Sequence, residues 1–252
     1  MGGGGVKTVG IIQARMGSTR LPGKVLMNLA GRPALAVMLE RLRRSETLSD
    51  AVVATSNLEQ DDPIVRVCDD LSVGVFRGSE SDVLSRYVSA AQAFKAELVV
   101  RLTADCPFIC PEVTDRIVRA FCGASPPVHY ATNCLRRTYP RGLDAEVIAR
   151  DTLEAVAAEA TSPADLEHVT YFVRRQPQRF RHLSVEDRED RSALRWTLDT
   201  LQDFQLLSRM SQALGARVLA SSYHELLELF DNHPDWAAIN SDVEQTELSG
   251  IT

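Results

Sequence analysis

The feature that most constrains this chain is an alternation of short apolar runs with stretches of helical periodicity. Apolar runs at residues 6–14, 51–55, 73–76 and 98–103 read as strands. Between them, helices are expected from Pro33, from Asp61-Asp62-Pro63 and over residues 82–94, with apolar positions at helical spacing and prolines near the starts. This order predicts an α/β fold, a mostly parallel sheet with helices on both faces. Ligands of such sheets bind beyond the C-terminal ends of the strands. Further on, residues 125–191 mix short strands with helices expected at 151–160 and 163–175. A last strand is expected at 194–198, then a helix over 201–214. The chain reads as a single domain, residues 1–252, in which about 125–191 form an inserted α+β lobe.

Three expected strand ends are chemically loaded. The first run leads into Arg15-Met-Gly-Ser-Thr-Arg-Leu-Pro-Gly-Lys24, which sets three cations and two glycines between a strand and a helix. Glycines let backbone N–H groups approach oxyanions, arginines bind them in bidentate fashion, and lysine adds a point charge. The Gly17-to-Gly23 interval and Val25 do not fit a Walker A loop. The strand at 98–103 runs into Ala104-Asp105-Cys-Pro107, and Asp199 follows the strand expected at 194–198. Two carboxylates at strand ends can hold Mg²⁺ together with phosphate oxygens and water. Asp199 also precedes a helix, where aspartate is a favoured cap, so both readings stand.

Composition excludes other classes. The formal charge of −6 disfavours a nucleic-acid binder. No apolar stretch approaches the roughly 20 residues a membrane span needs, and no secretory signal is visible. The glycines after Met1 read as a disordered lead-in. Five cysteines without a leader argue for free thiols and a cytoplasmic protein, and none has zinc spacing. Arg174, Arg175, Arg179 and Arg181, followed by acidic residues at 186–190, read as a solvated charged surface.

The segment Ile11-Ile-Gln-Ala-Arg-Met-Gly-Ser-Thr-Arg-Leu-Pro-Gly-Lys-Val-Leu26, then Leu29-Ala-Gly-Arg-Pro33, resembles the signature of the acylneuraminate/KDO cytidylyltransferases, especially their spore-coat-polysaccharide branch. The resemblance continues through Val100-Arg-Leu-Thr-Ala-Asp-Cys-Pro107, Tyr139-Pro-Arg-Gly-Leu-Asp-Ala-Glu-Val147, Glu167-His-Val-Thr170 and Arg195-Trp-Thr-Leu-Asp-Thr200, and is weakest after about residue 214. It implies a Rossmann-like fold of the nucleotide-diphospho-sugar transferase type. It also implies transfer of CMP from CTP to a small anionic acceptor, a nonulosonic or ulosonic acid sugar, with release of pyrophosphate.

The resemblance further implies Mg²⁺ on Asp105 and Asp199, with Arg15 and Lys24 also catalytic. Ala14, Arg15, Gly17, Ser18, Arg20, Lys24, Thr55, Arg77 and Thr103 are implied around the nucleotide, and Gly142, Asp144, Glu146 and His168 around the acceptor. His168 alone reads equally as a structural or surface histidine. A homodimer through the inserted lobe is the expected assembly. The alternatives are a metal-dependent glycosyltransferase of similar fold, nucleotidyl transfer to a phosphonate or other carboxylate, a uridylyl- or guanylyltransferase, and a noncatalytic relative. The glycosyltransferase would want an Asp-x-Asp pair, which Asp105 lacks nearby. Intact Arg15, Lys24, Asp105 and Asp199 argue against the noncatalytic relative.

Overall fold

The computed structural model describes residues 5–244, so most of the glycine run lies outside the described residues. The strands are β1 (Thr8–Gln13), β2 (Asn28–Leu29), β3 (Arg32–Pro33), β4 (Asp50–Ser56), β5 (Gly74–Gly78), β6 (Leu98–Thr103), β7 (Tyr130–Thr132), β8 (Glu146–Ala149) and β9 (His182–Ser184). The helices are α1 (Ala34–Leu42), α2 (Asp62–Asp70), α3 (Val83–Ala93), α4 (Pro111–Cys122), α5 (Arg150–Glu159), α6 (Pro163–Glu167), α7 (Tyr171–Arg174), α8 (Leu201–Leu214) and α9 (Tyr223–Asp231).

Seven strands form one sheet in the order β5-β4-β1-β6-β8-β7-β9, and β2 pairs with β3 apart from it. The β5–β4–β1–β6 half is parallel, β8 runs antiparallel to both β6 and β7, and β9 is parallel to β7. Side chains of the central strands alternate between two cores, as the period of two requires. Ile12 and Val53 pack with residues of α1, α4, α8 and α9. Val9, Ile11, Val52 and Ala54 pack with α3, α5 and α7 on the opposite face. Both faces are therefore covered, which explains continuous apolar runs in place of clean alternation. The strands β7, β8 and β9, all from within 125–191, are hydrogen-bonded into the same sheet as β1. Among the described residues no helix is long and apolar enough to cross a membrane.

Four local expectations need correction. Residues 194–198 do not form a regular strand; they join the structure through a single bridge, Arg141 with Arg195. The helix expected over 163–175 is two short helices, α6 and α7, broken where His168 leaves helical geometry at φ −106° and ψ 78°. Pro33 precedes α1, ending β3, and is not in the helix's first turn. Finally, α4 and α9 were not anticipated, although each carries a start signal. Pro111 opens α4, and Ser222 with Glu225 makes a capping box on α9.

Candidate active site

The C-terminal ends of β1 and β6 open onto a cavity of about 300 Å³. The loop after β1 forms one wall. Its start is tied down by Ala14 N–H, which donates to the Ala54 carbonyl at 3.2 Å, and by Met16 N–H, which donates to Asp61 Oδ1 at 2.7 Å. The loop then folds on itself: Ser18 N–H and Gly23 N–H both donate to the Met16 carbonyl, at 2.9 and 3.0 Å. Gly23 sits at φ 70°, where a residue without Cβ is favoured, and passes the chain into the short turn that holds Lys24.

Lys24 Nζ donates to Asp105 Oδ2 at 2.9 Å and to Asp199 Oδ1 at 2.7 Å, so one ammonium bridges two carboxylates 94 residues apart in sequence. Burial works against the Lys24 charge, but the two aspartates outweigh it and lift its pKa above the ordinary lysine value. Burial likewise opposes the Asp105 charge, yet the Lys24 ammonium and the Thr103 hydroxyl hold its carboxyl down at about 2. Thr103 Oγ1 donates to Asp105 Oδ1 at 2.6 Å, and the Asp105 carbonyl accepts from Leu198 N–H at 2.7 Å. That bond is how the 194–198 segment delivers Asp199 to Asp105.

Asp199 is not the cap of α8. Thr200 is, in a capping box with Asp203, whose Oδ2 also accepts from the backbone of Asp199 and Thr200 at 3.0 Å. The Asp199 side chain is thereby left to face Lys24, Arg20 (Nη2 at 3.0 Å) and Arg195 (Nη2 at 3.0 Å). Arg195 is itself anchored on buried Asp203 at 2.8 Å.

Of the positions expected around the nucleotide, Ala14, Arg15, Ser18, Arg20, Lys24 and Thr103 line the cavity. Arg15 makes no hydrogen bond or ion pair among the described residues. Gly17 lies in the loop but not on the lining, and Thr55 is fully buried in β4, away from it. Arg77 is occupied elsewhere: its guanidinium donates to the carbonyls of Ser56 and Leu58 and pairs with Asp62 at 2.7 Å, bracing the loop after β4.

Of the four positions expected around the acceptor, only His168 lines the cavity. Burial, together with the charges of Arg101 and Arg15, holds its imidazole below the ordinary histidine value against the opposing pull of Glu167. Gly142 is a crossing point. At φ 103° it passes so close to Trp196 that a Cβ would meet the backbone at 2.5 Å. Asp144 is taken up by a bidentate pair with Arg137 at 2.6 and 2.8 Å. Glu146 is buried behind the cavity wall, where it pairs with Arg101 at 2.6 Å and accepts from Tyr130 Oη at 2.8 Å and from Thr170 Oγ1.

Residue patterns had not singled out Asp61, Arg101, Arg195 or Asp203. Arg101 carried a signal, a charge within an otherwise apolar strand. Asp203 carried another, its place three residues after Thr200. Among the described residues no three His, Cys, Asp or Glu side chains gather as a metal-binding group.

This sheet, with a cationic loop after its first strand and the Asp105 and Asp199 carboxylates converging on it, defines a nucleotidyltransferase-type α/β protein. The chain belongs to the cytidylyltransferase family, whose model matches residues 9–229. It is 36% identical over 234 residues to the spore coat polysaccharide biosynthesis protein SpsF of Bacillus subtilis, covering 90% of this chain and 95% of that protein. A cytidylyltransferase structure from Leptospira borgpetersenii superposes with a TM-score of 0.88 at 32% identity, over 96% of this chain and 100% of the other. A CMP:2-keto-3-deoxy-manno-octonic acid synthetase solved with CTP shares the fold, with a TM-score of 0.62 at 19% identity, over 82% of this chain and 100% of its own.

Proposed function

We propose that this protein transfers CMP from CTP to a small anionic acceptor, a nonulosonic or ulosonic acid sugar, and releases pyrophosphate. The observation that carries the reading is the Lys24 ammonium held at 2.9 and 2.7 Å by Asp105 and Asp199, on a cavity whose wall is the loop of Arg15 and Arg20. An acceptor hydroxyl oxygen attacks the α-phosphorus of CTP in line. As that O–P bond forms, the bond from α-phosphorus to the bridging oxygen breaks and pyrophosphate leaves with both electrons. The hydroxyl proton passes to solvent. The difficulty is electrostatic, an anion approaching a polyanion. Arg15, Arg20 and Lys24 hold the β- and γ-phosphates and stabilise the departing charge. Arg15, with no hydrogen-bond or ion-pair partner among the described residues to give up, is poised for an oxyanion.

Asp105 and Asp199 fit a hard divalent cation. Two carboxylate groups already converge on one positive charge, and Mg²⁺ takes one or two carboxylates with phosphate oxygens and water as its remaining ligands. Bound there, Mg²⁺ supplies charge neutralisation at the phosphoryl groups. We further propose that the protein works in the cytoplasm, in keeping with its five free thiols, and as a homodimer formed through residues 125–191. Light scattering at the monomer mass rejects the dimer.

The test is pyrophosphate release with CTP, UTP, GTP and ATP against a panel of acidic sugars and small phosphonates. Release with CTP and an acidic sugar is expected, and EDTA abolishes it. A phosphonate as the sole acceptor moves the substrate class. A nucleoside diphosphate product indicates glycosyl transfer, and CTP binding without turnover indicates a noncatalytic relative.

A further inference from the structure

The cavity is also bounded by Arg101, which shares a face of β6 with Thr103 and so projects on the side of the sheet where Thr103 meets Asp105. An arginine has two edges for a planar oxyanion. One is formed by the two terminal nitrogens and the other by Nε with Nη2. Arg101 spends Nη1 on Glu146 Oε1 at 2.6 Å. Its Nε is buried without a partner, and Nη2 makes no hydrogen bond among the described residues. The Nε/Nη2 edge is therefore unfilled.

Two other arginines of this protein fill that edge with a carboxylate, whereas Arg86, which does not line the cavity, leaves its Nε and Nη2 buried without a partner. Arg195 gives Nε and Nη2 to the two oxygens of Asp203, at 2.8 and 3.1 Å. Arg175 gives the same pair to Asp165, at 3.2 and 2.9 Å. A buried donor with no acceptor carries a desolvation cost of about 1–3 kcal/mol and calls for an explanation.

Arg101 is also held still. Glu146 is itself fixed by Tyr130 Oη and Thr170 Oγ1, and Thr170 lies two residues beyond His168. The guanidinium therefore has a set orientation and a neutralising carboxylate behind it. Its charge-assisted donors remain for a ligand, which is the condition under which a fork selects carboxylate geometry over a point charge.

We propose that the Nε/Nη2 edge of Arg101 receives the carboxylate of the acceptor, making Arg101 the residue that selects an acid. Arg15 and His168 line the same cavity, and Glu167, the remaining carboxylate on this wall, is an acceptor for the hydroxyls of a sugar acid. The inference rests on the proposed function and deepens it. The triphosphate is assigned to the Arg15–Lys24 loop, so Arg101 governs the acceptor and not CTP.

The test compares 2-keto-3-deoxy-manno-octonic acid with its methyl ester, by pyrophosphate release with CTP in the wild type and in Arg101→Lys. Lysine keeps the charge opposite Glu146 but has no fork. The wild type is expected to prefer the acid by at least tenfold in kcat/KM. In Arg101→Lys that preference falls to about threefold or less, through the acceptor KM, while the CTP KM stays within twofold. Should Arg101→Lys fold poorly by circular dichroism, Arg101→Met combined with Glu146→Gln removes both buried charges together and is expected to show the same lost preference. Unchanged preference for the acid in a folded variant overturns the role of Arg101 and leaves the cytidylyl transfer standing. A rise in the CTP KM alone reassigns the edge to the nucleotide and overturns it too. No turnover of this or any acid in the panel by the wild type fails the proposed function itself, and the inference with it.

Discussion

The two ends of the cavity hold their charges differently. At the Lys24 end, one ammonium is shared between Asp105 and Asp199, whose side chains keep 25% and 9% of their exposure, and Arg20, still 41% exposed, joins from the rim. At the Arg101 end, Glu146 is buried and takes three donors, from Arg101, Tyr130 and Thr170. Under the proposed function the first arrangement exchanges partners, a cation taking the place of Lys24 between the carboxylates and phosphate taking the place of the carboxylates on Lys24. The second cannot be opened without leaving a buried charge alone. A site that must admit a polyanion holds a charge whose partners a ligand can replace, and one that must recognise a shape fixes its charge in place.

The largest expected effect tests the fixed end. Glu146→Ala leaves the Arg101 charge uncompensated, and chemical denaturation should show a loss of about 3–5 kcal/mol. A loss below 1 kcal/mol would erase the contrast between the two ends. At the exchangeable end, Lys24→Ala should fold and bind its acceptor but lose about a hundred- to thousandfold in turnover, roughly 3–4 kcal/mol at the transition state. Near-normal pyrophosphate release from it would remove the phosphate role.

Gly142 belongs to neither end, since it lets residues 141–142 cross the segment that carries Asp199. Gly142→Ala meets Trp196 backbone and is also strained at φ 103°, costing about 1–3 kcal/mol in stability. Because Asp199 is displaced, activity should fall with it. Stability lost with full activity would detach this crossing from the site. The smallest effect is expected at Arg77. It braces residues 56–62 without lining the cavity, so Arg77→Ala should change kcat/KM for CTP by no more than severalfold.

The Lys24 end was legible in the sequence. The cationic loop lies between a strand and a helix, and β6 occupies the residues its apolar run indicated, leaving Asp105 at its tip. Asp199 was open to two readings because capping depends on which neighbouring side chain folds back, and Thr200 with Asp203 does so. The Arg101 end was obscure. Glu146 gained its partners only when β8 paired antiparallel to β6 with Arg101 opposite Glu146, a register no local pattern encodes. Asp144 and Gly142 meet Arg137 and the Trp196 backbone, contacts that their own segment does not announce. The break at His168 was likewise invisible to periodicity, since α6 and α7 share one apolar pattern.

The central claim is that Lys24, Asp105 and Asp199 open to receive a metal–triphosphate complex. A crystal structure with Mg²⁺ and a CTP analogue whose α-phosphorus cannot be attacked tests it most directly. The account predicts the metal against both aspartates and the Lys24 ammonium on a phosphate oxygen. A nucleotide bound elsewhere, with Lys24 still closed on Asp105 and Asp199, would contradict it.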